Sequence, residues 1–579
     1  MFDWKIINKG IEIKNRSDYS FHPAALKIFF QKGLNTPEKI NRFLFPDYDK
    51  DLHSPFLFSQ MPQAVKRIKK AKKRKEKVAI FGDYDADGIT SSAVLAEIFK
   101  KLNIPFEIYI PNKRSEGYGL NLEAIKELKE KNVSLIVTVD CGISNAEEII
   151  GASKMGIDVI ITDHHHIPSE IPKAHSIINP QMKNSGYPFK ELAGVGVAFK
   201  FAQALCEELI PNEKDQLKWL LDLVAIGTIA DCVPLLEENR ILCKYGLIVL
   251  SKTRRIGLQE LFKVGRILVD ENNVPNTHKI SFQIAPRINA AGRMDHANIA
   301  YNLISEKDRI KARELALELE TYNQERQAIT KQIVKEVEVL ANNAFKNKKF
   351  IFAVGEHFSL GVAGLAAGKI ADKFRKPTAI LQKGRNESRG SFRSIPQINI
   401  IEAIEKYGNL LTKYGGHNQA AGISIKNENL EEFYKRLNAF IEKRLADKDV
   451  PPEILIDAEI SSKDINFKLA EEIKKMEPFG VGNEEPIFLT KNLIVEELKW
   501  VGNGEKHLKL FLRPGDKTPK IFEAIGFNSF DRFKDIKIGN IMDLVFHLQL
   551  DNWNGNKKIQ LNIIDLKIKS DPNTQIAHE

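Results

Sequence analysis

Residues 78–88 read VAIFGDYDADG, an apolar run that leads into three aspartates. The apolar part has the residue types and the length of a buried strand, and the residues after the aspartates have the spacing of a helix. A buried strand followed by a helix is the repeating unit of a parallel α/β sheet. We therefore predict such a sheet, with Asp83, Asp85 and Asp87 at the end of one of its strands.

Two further apolar runs end in the same way. Residues 135–139 lead into Asp140, and residues 159–162 lead into the triplet Asp163–His165. Because ligands of an open parallel sheet bind beyond the carboxyl ends of its strands, these three ends should direct carboxylates and imidazoles into one pocket. Oxygen ligands mixed with histidine, without a thiolate, suit Mn²⁺ or Mg²⁺ better than a structural zinc. The pattern indicates a two-metal phosphoryl hydrolase.

The acidic turn also has simpler interpretations. It matches the opening of an EF-hand calcium loop, but that loop needs a glutamate at its twelfth position, where this chain has Val94. The aspartates could instead only cap the next helix, and residues 163–166 could be a surface histidine cluster. Three similar strand ends favour the functional interpretation. Asp140 stands alone at a central strand end and is the natural bridging carboxylate, whereas Asp231, after the apolar run 225–230, is weak evidence by itself.

Length and composition indicate a multidomain globular protein. The 579 residues predict about three or four domains, and 43% hydrophobic with 28% charged residues is an ordinary globular composition. No apolar run approaches a membrane span, and the first ten residues lack the pattern of a secretory signal. The cysteines have no metal-type spacing and are too few to staple the chain, which fits a reducing cytosol. We expect a cytoplasmic protein without a membrane partner.

The charge of the chain weakly indicates a polyanionic partner. The net charge is +10 and the pI is about 9.0. The densest basic run spans residues 66–77, and Val65, Ile68 and Ala71 recur there at helical spacing. One face of this helix should pack while the rest carries charge. The run is either a solvated helix leading into the first strand, which the residues alone favour, or a direct nucleic-acid contact.

The pattern along the chain predicts five segments. They are an N-terminal cap region over 1–75, an α/β catalytic domain over 76–304, a connecting helix over 305–346, a second α/β domain over 347–446 and a C-terminal β-barrel over 447–579. Strand-like and helical runs alternate from residue 77 to about 231, as in a parallel sheet.

The connecting helix is predicted from a long run without Gly or Pro. It opens on Ser305 and Asp308, which are spaced like a capping box, and reaches about Phe345. A helix of roughly 40 residues would be about 60 Å long and is interpreted as a strut between two domains. A coiled-coil dimer is the alternative, but Arg326 on the apolar stripe argues against it, so we expect a monomer.

The C-terminal segment has the alternation of a β-hairpin. Apolar residues alternate over 544–550, a turn is predicted over 552–556, and alternation resumes over 559–563. An Asn-Gly turn between alternating runs is a strong hairpin signal, which indicates a small β-barrel. Trp553 is a candidate for stacking on bases, although a packing role in the turn is as plausible.

These motifs together resemble those of the DHH phosphoesterase superfamily, whose name comes from its Asp-His-His triplet. Within it they are most similar to the RecJ family of bacterial single-strand-specific exonucleases, and the resemblance covers nearly the whole chain. The matching motifs are GDYDADGIT at 82–90, VDCG at 139–142, TDHH at 162–165 and ADCVP at 230–234.

Three further stretches separate the RecJ family from its smaller relatives. They are APRINAAGR at 285–293, YGGH at 414–417 followed by AAG at 420–422, and PFGVGN at 478–483. They resemble the segment before the strut, the glycine-rich motif of the DHH-associated domain and the start of an oligonucleotide-binding (OB) barrel. In one departure, the family usually has a histidine two residues before the glycine that matches Gly361. This chain has Ser359 there, with His357 nearby.

The resemblance implies a set of site residues. Two Mn²⁺ or Mg²⁺ ions would be held by Asp83, Asp85, Asp87, Asp140, His164 and Asp231. His165, Asp163 and Asp140 would be catalytic, with His165 on the scissile phosphate and Asp163 orienting it. Substrate would be held by Arg287, Asn289, Arg293, Ser391, Arg393, Gly415, Gly416 and His417. Glycines let backbone N–H groups approach a phosphate, and arginine suits bidentate phosphate binding. Structural ion pairs for Arg287 and Arg293, and a tight turn with a packing histidine at 415–417, are the alternatives.

The implied function is 5′-to-3′ degradation of single-stranded DNA to mononucleotides, in DNA repair and recombination. The implied partners are single-stranded DNA, a single-strand-binding protein and a helicase. One alternative is a DHH phosphodiesterase for short oligonucleotides or cyclic dinucleotides, which would not need the extra barrel. A second is an inactive DNA-binding scaffold, which would not need clustered carboxylates that repel one another without metal.

Overall fold

The computed structural model describes residues 2–7, 19–113, 115–445, 453–502, 504–515, 520–553 and 556–569. The strands, in chain order, are β1 (Asp3–Ile6), β2 (Lys77–Gly82), β3 (Phe106–Tyr109), β4 (Val133–Val139), β5 (Asp158–Thr162), β6 (Ser176–Ile178), β7 (Ile351–Gly355), β8 (Thr378–Lys383), β9 (Glu387–Arg393), β10 (Leu411–His417), β11 (Ala420–Lys426), β12 (Glu453–Ile456), β13 (Ala458–Glu459), β14 (Ile487–Val501), β15 (His507–Pro514), β16 (Phe522–Gly526), β17 (Ile541–Trp553) and β18 (Asn556–Ile568).

The α-helices, in chain order, are α1 (Pro23–Gln31), α2 (Pro37–Leu44), α3 (Met61–Arg74), α4 (Ala86–Lys101), α5 (Leu122–Glu130), α6 (Ala146–Lys154), α7 (Gly194–Leu209), α8 (Leu221–Ala230), α9 (Glu237–Ser251), α10 (Ile256–Val264), α11 (Thr277–Lys279), α12 (Ala285–Met294), α13 (Asn298–Ser305), α14 (Arg309–Asn342), α15 (Leu360–Phe374), α16 (Ile400–Glu405), α17 (Leu430–Leu445), α18 (Phe467–Lys475) and α19 (Phe530–Phe533). None of the helices in the described part of the chain is long and apolar enough to cross a membrane.

The chain folds as two units. One consists of Met1–His53, Cys232–Tyr245 and Pro451–Glu579, and the other of Ser54–Asp231 and Gly246–Val450. The division into five segments made from the sequence stays a prediction.

A five-stranded parallel sheet forms the centre of the larger unit, in the order β3-β2-β4-β5-β6. β2, β4 and β5 are almost continuously buried, which explains why they read as unbroken apolar runs. Their last residues are neighbours, because Gly82 pairs with Val139 and Val139 pairs with Thr162. The predicted parallel sheet is confirmed, and its three acidic strand ends meet at one edge.

The predicted alternation beyond this sheet is wrong in extent. The last strand of the sheet is β6, and the chain is largely helical from Gly194 to Ser305. The apolar run at 225–230 lies in α8, which is buried over Leu221–Ile229. A segment that is apolar on all sides has no period that distinguishes a buried helix from a buried strand. Ile280–Ile284 form one π-helical turn that leads into α12.

The long connecting helix is present but shorter than predicted. α14 has 34 residues, and its N-terminal cap is Asp308, whose side chain accepts a hydrogen bond from Lys311 N. Ser305 instead ends the preceding helix α13, so the two residues do not form a capping box. α14 packs on α10, α12 and α13 and also on α15 and β7, as expected of a strut.

A second, mixed sheet follows the strut, in the order β10-β11-β9-β8-β7. Only β7 and β8 are parallel, and the remaining pairs are antiparallel. α15 packs on β8 and β9, over a core that includes Ile351 and Ile380, whereas Phe350 and Phe392 lie in a second core with residues of α16 and α17. The glycine-rich residues 415–422 form the tip of the β10–β11 hairpin.

The smaller unit contains the predicted C-terminal barrel. Its sheet has the order β13-β14-β15-β16-β18-β17, and β17 also pairs with β14. α1 and α2 contribute to the same apolar core as the barrel strands, so the N-terminal cap residues pack with the barrel. β17 and β18 form the expected antiparallel hairpin. Residues 554–555 of its turn, the Trp553 side chain and the predicted boundary between residues 446 and 447 lie outside the described residues.

Candidate metal centre and substrate cleft

The acidic turn after β2 leads into α4, and two of its three aspartates are buried. Asp85 is the N-terminal cap, and its Oδ1 accepts hydrogen bonds from Asp87 N at 2.9 Å and Gly88 N at 3.1 Å. Asp87 is buried, and its two oxygens accept hydrogen bonds from Gly194 N at 2.7 Å and Val195 N at 2.9 Å. Capping therefore accounts for Asp85 but not for Asp83 and Asp87, which are 5% and 1% exposed.

Asp140 follows β4 in a left-handed conformation. Its φ is 59°, which is uncommon for a residue with a Cβ and costs about 1–3 kcal/mol. Asp140 N donates a hydrogen bond to Thr162 O, so the strained residue stays tied to the neighbouring strand β5. Strain retained at a buried carboxylate is typical of functional sites.

The Asp-His-His triplet after β5 has a different role for each residue. Asp163 Oδ1 accepts hydrogen bonds from the backbone N–H of His164 and His165, and lies 2.7 Å from His165 Nδ1. Its Oδ2 accepts a hydrogen bond from Ile143 N at 3.0 Å. Asp163 thus fixes the direction of the His165 ring, while His164 faces other carboxylates.

His164 and Asp140 connect three groups of candidate ligands. His164 Nε2 lies 3.1 Å from Asp140 Oδ1 and 3.5 Å from Asp231 Oδ2. Within each group the ligand atoms are no more than 4.8 Å apart, and the groups are Asp140 with His164 and His165, Asp87 with His164 and Asp231, and Asp83 with Asp85 and Asp140. In the described part of the chain Asp163 belongs to none of these groups. Asp140 and His164 each occur in two groups. A carboxylate such as that of Asp140 can bridge two neighbouring cations, whereas His164, with one lone pair on Nε2, can ligate only one of them.

The electrostatics of the cluster fit bound cations. The buried atoms Asp83 Oδ1, Asp140 Oδ1 and His164 Nε2 have no hydrogen-bond partner within the described residues. Burial and the nearby charge of Asp85 raise the pKa of Asp83 and bring that of Asp87 to about 7. Burial and the nearby charge of Asp87 raise the pKa of Asp140. The same two causes raise the pKa of Asp231 to about 9. Acceptor atoms that repel one another in a dry site are satisfied by divalent cations, so these residues fit Mn²⁺ or Mg²⁺.

The pKa values of His164 and His165 are shifted in opposite directions. Burial, and then the charge of His165, lower the pKa of His164 to about 4, so its ring is neutral and its Nε2 lone pair remains available as a metal ligand. Burial opposes charging of His165 as well, but the hydrogen bond to Asp163 and the charge of that carboxylate raise its pKa to about 9. A cationic imidazole beside a metal centre is suited to contact a phosphate.

Two adjoining cavities lead to this cluster. The smaller, of about 240 Å³, is lined by Asp83, Asp85, His165 and Asn289 among others. The larger, of about 680 Å³, lies against the mixed sheet. Lys113, Gly292 and Arg293 line both cavities, so the cleft continues from one to the other with cationic side chains at the junction.

The three residues of segment 285–293 that were predicted to bind substrate do not all lie at the cleft. Arg293 lies at the junction of the cavities, and its NH1 donates a hydrogen bond to Gly361 O at 3.2 Å. Asn289 lines the smaller cavity, and its Oδ1 accepts a hydrogen bond from Ala86 N at 2.7 Å. Arg287 instead forms an ion pair with Glu320 of α14 at 2.5 Å, which is the structural alternative left open by the sequence.

Two of the five candidates on the mixed sheet line the larger cavity. Ser391 and Gly415 line it, and Arg393 lies two residues after Ser391 on the same strand. Gly416 has φ 151°, and a Cβ there would lie 2.3 Å from Ala420 O, so the tight hairpin requires a glycine. His417 is exposed and contacts His166 edge-on, with ring centroids 5.9 Å apart.

Sequence reasoning missed the loop after β3. Tyr118 OH donates a hydrogen bond to Asp140 O at 3.2 Å and lies 3.3 Å from His165 Nδ1. Lys113 Nζ lies 4.7 Å from the centre of the Tyr84 ring. β3 is parallel to β2, so its carboxyl end lies at the same edge. The position of Lys113 and Tyr118 after a strand of the same sheet could have indicated them. They were missed because only acidic and histidine residues were considered as strand-end ligands.

Glycines allow the close packing beneath the carboxylates, and Gly194 provides a test. A Cβ at Gly194 would lie 2.5 Å from Asp140 Oδ1, and one at Gly227 would lie 2.7 Å from Asp87 Oδ1. We expect Gly194→Ala to displace the Asp140 carboxylate and weaken Mn²⁺ binding about tenfold, as measured by calorimetric titration. The control is Gly196→Ala, whose Cβ would meet only the flexible Leu192 side chain at 3.2 Å. Equal Mn²⁺ affinity in the two variants would contradict the geometric argument.

Family models match three parts of the chain. The DHH family N-terminal domain matches residues 77–228, the DHHA1 domain 347–443 and the RecJ OB domain 456–565. The single-stranded-DNA-specific exonuclease RecJ of Bacillus subtilis is 36% identical over 548 residues, which cover 94% of this chain and 68% of that protein. The enzyme of the same name from Haemophilus influenzae is 32% identical and covers 96% of this chain and 98% of that protein. The chain belongs to the RecJ family.

Solved RecJ structures have the same fold. RecJ from Thermus thermophilus in complex with Mn²⁺ superposes with a TM-score of 0.80 at 26% identity, over 96% of this chain and 77% of that one. An exonuclease RecJ bound to manganese gives a TM-score of 0.59 at 30% identity, over 69% of this chain and 99% of that one. The α/β catalytic part, the connecting helix, the DHH-associated domain and the OB barrel of this RecJ family member are therefore confirmed as its fold class.

Proposed function

We propose that this chain is a metal-dependent exonuclease that degrades single-stranded DNA from the 5′ end to mononucleotides, in DNA repair and recombination. The observation that carries the proposal is the set of ligand groups at the edge of the parallel sheet, which open into a cleft with cationic residues at its junction. Relatives named as single-stranded-DNA-specific exonucleases, similar over nearly all of this chain, support the substrate class.

The metal ligands proposed are the predicted ones, Asp83, Asp85, Asp87, Asp140, His164 and Asp231. The groups that they form, and the partnerless buried atoms among them, support two ions. When bound, Mn²⁺ or Mg²⁺ at such a site supplies a hydroxide nucleophile at neutral pH and neutralises charge on the reacting phosphate.

The remaining residues bind and orient the strand. His165 contacts the scissile phosphate, and its hydrogen bond to Asp163 keeps the ring aimed into the smaller cavity. Arg293 binds the backbone at the junction of the cavities, with Lys113 and Asn289 beside it. Ser391, Arg393 and the backbone around Gly415 and Gly416 bind the 5′-terminal phosphate, with His417 at the edge of the hairpin. Arg287, paired with Glu320, supports α12 instead of binding substrate.

The OB barrel argues against the alternative phosphodiesterase. OB-folds bind single strands through basic grooves and stacking, a capacity that a cyclic dinucleotide does not use. The repelling carboxylates argue against an inactive scaffold, since that role gives no reason for buried like charges. A single-strand-binding protein, a helicase, a monomeric state and a cytoplasmic location stay predictions.

A comparison of substrates tests the proposal. With Mn²⁺ we expect 5′-phosphorylated single-stranded DNA to be degraded at least about tenfold faster than a blunt duplex or a cyclic dinucleotide, because the cleft binds one flexible strand by its end. Slower degradation of RNA is expected only from the similarity to relatives named as single-stranded-DNA-specific. Strands labelled at the 5′ or the 3′ end, resolved on denaturing gels, give polarity and product length. Release of the 3′ label first would overturn the polarity. Faster cleavage of the cyclic dinucleotide would favour the alternative.

A further inference from the structure

The helix α3 carries most of the excess charge of the chain. Residues 66–77 contain nine lysines and arginines and one acidic residue, a net charge of +8 in a chain whose total is +10. The remaining residues are therefore nearly neutral. A net charge concentrated in one helix cannot be explained as a general solubility device, which would be spread over the surface.

The charges of α3 form a continuous exposed face. Met61, Ala64, Val65, Ile68 and Ala71 form the buried stripe. On the opposite side, Lys66, Lys69, Lys70 and Lys73 are exposed at helical spacing, and we call these four residues the basic face. In the described part of the chain, none of the four lies within ion-pair distance of a carboxylate. Nearby lysines differ, since Lys77 and Lys131 both pair with Glu107.

Helix stability does not explain the basic face. Cations in the last turn of a helix are favourable because they oppose the macrodipole, which accounts for Lys72, Lys73 and Arg74. Lys66, Lys69 and Lys70 lie before that turn. Like charges three and four positions apart, as in the pairs Lys66–Lys70 and Lys69–Lys73, destabilise a helix. The arrangement therefore lowers the stability of the helix unless an anion binds to it.

Arg67 shows where the basic face lies. Its guanidinium bonds Asp158 at 2.6 Å, Ser134 O at 3.5 Å and Glu76 at 2.7 Å. These partners are at the amino-terminal ends of β5, β4 and β2. The basic part of α3 is thus at the amino edge of the parallel sheet, opposite the carboxyl edge that holds the candidate metal ligands. It cannot belong to the cleft already described.

We propose that the basic face is a second nucleic-acid contact, which binds the phosphate backbone without sequence preference. The ligand class rests on the proposed function, but the contact itself does not require hydrolysis. Lys66 to Lys73 rise about 10 Å along the helix, so the four cations are spaced by about 3.5 Å. One strand of DNA carries a phosphate about every 3.4 Å of its axis, so the charge densities match.

The composition of the exposed surface favours nucleic acid over an acidic protein segment. Pro62 is the one exposed apolar residue of α3, and the other exposed residues of this helix are Gln63 and cations. Protein interfaces have an apolar core inside a polar rim, which this surface cannot supply. Contacts to phosphates need only lysines and arginines.

The test removes the basic face and measures binding in EDTA, where metal-dependent hydrolysis is blocked. The variant Lys66→Gln, Lys69→Gln, Lys70→Gln, Lys73→Gln is compared with a control that loses four other exposed lysines of the same unit, Lys331→Gln, Lys335→Gln, Lys346→Gln, Lys348→Gln. Fluorescence anisotropy with a single strand of about 40 nucleotides is recorded over a range of salt concentrations. We expect the basic-face variant to lose about tenfold in affinity and its negative slope of log K against log salt to become shallower by about 3. The control should change neither quantity.

The outcomes separate this proposal from others. Turnover of a strand of about six nucleotides, too short to reach from the cleft to the opposite edge, should be unchanged in the basic-face variant. Equal affinity and salt slope for the basic-face variant, the control and the unmodified protein would overturn the proposal. Tighter binding of polyglutamate than of DNA of equal charge to the unmodified protein, lost in the basic-face variant, would overturn the choice of ligand. Absence of hydrolysis in all proteins would contradict the proposed function and leave the binding result interpretable.

Discussion

Replacement of Asp140 by asparagine is expected to reduce Mn²⁺-dependent degradation of single-stranded DNA by about a thousandfold or more. Asp140 occurs in two of the three ligand groups, so its loss affects both proposed ion positions. Charge stabilisation by a bound metal supplies several kcal/mol, and each 1.4 kcal/mol corresponds to about tenfold in rate. Single-turnover degradation of a labelled strand measures the loss.

The same substitution should stabilise the metal-free protein. Asp140 is 2% exposed, and its own burial and the charges around it raise its pKa. A neutral amide of the same shape removes repulsion that proton uptake or a bound cation otherwise offsets. Thermal unfolding in EDTA should therefore give a melting temperature higher for Asp140→Asn than for the unmodified protein. Saturating Mn²⁺, worth about 2.7 kcal/mol at a hundred times the Kd, should raise the melting temperature of the unmodified protein far more than that of the variant.

Asp215→Asn is the matched control, because this carboxylate is 94% exposed and lies outside the cluster. It should leave degradation and both melting temperatures unchanged. Strand binding in EDTA should persist in Asp140→Asn, which separates loss of chemistry from loss of the fold. Unchanged degradation by Asp140→Asn would contradict the metal mechanism, and a lower melting temperature without metal would show that Asp140 is a structural hydrogen-bonding residue.

The edge of the parallel sheet could be predicted from the sequence because strand direction fixes where side chains meet. Apolar runs that end in Asp83, Asp140 and Asp163 have one interpretation once the strands are parallel. The residues that complete the cleft could not be found in this way. Gly194 and Gly227 matter because a Cβ would collide with a carboxylate from another segment, which is a property of packing that no local pattern records.

The errors of prediction have physical causes. The run before Asp231 is apolar on every side, so its helix has no period to distinguish it from a strand. Ser305 and Asp308 have the spacing of a capping box, but tertiary packing ends one helix at the first and begins the next after the second. For Arg287 the sequence left two roles open, and its ion pair with Glu320, which depends on α14 passing beside α12, favours the structural role.

Replacement of Arg393 by glutamine is expected to remove a preference for strands with a 5′-phosphate. Burial and the nearby charge of Arg293 lower the pKa of Arg393, and no carboxylate within the described residues pairs with it. Its NH1 donates a hydrogen bond to Phe392 O at 2.8 Å, which leaves most of its donors available. Two guanidiniums that repel each other beside a cleft are favourably placed to hold an anion between them.

The local packing supports a fixed orientation for this side chain. A Cβ at Gly364 would lie 3.0 Å from Arg393 NH2 and 3.4 Å from Ser391 Oγ, so both side chains lie against the glycine face of α15. Ser391 and Arg393 are two residues apart on β9, so their side chains lie on the same face of the sheet. A hydroxyl and a guanidinium can therefore bind the same ligand. A guanidinium held in this way loses little conformational entropy when it binds a phosphate bidentately.

The measured quantity is the ratio of kcat/KM for a 5′-phosphorylated strand to kcat/KM for the same strand with a 5′-hydroxyl. A hydrogen bond to a charged group is worth about 1.5–3 kcal/mol, so Arg393→Gln should lower this ratio by about 10- to 100-fold, mainly through KM for the phosphorylated strand. Arg436→Gln, which removes an exposed arginine paired with Glu432, is the control and should keep the ratio. If Arg393→Gln lowers kcat/KM equally for both strands and leaves the ratio unchanged, Arg393 binds an internal phosphate of the strand. Other residues of the cleft would then bind the 5′-terminal phosphate.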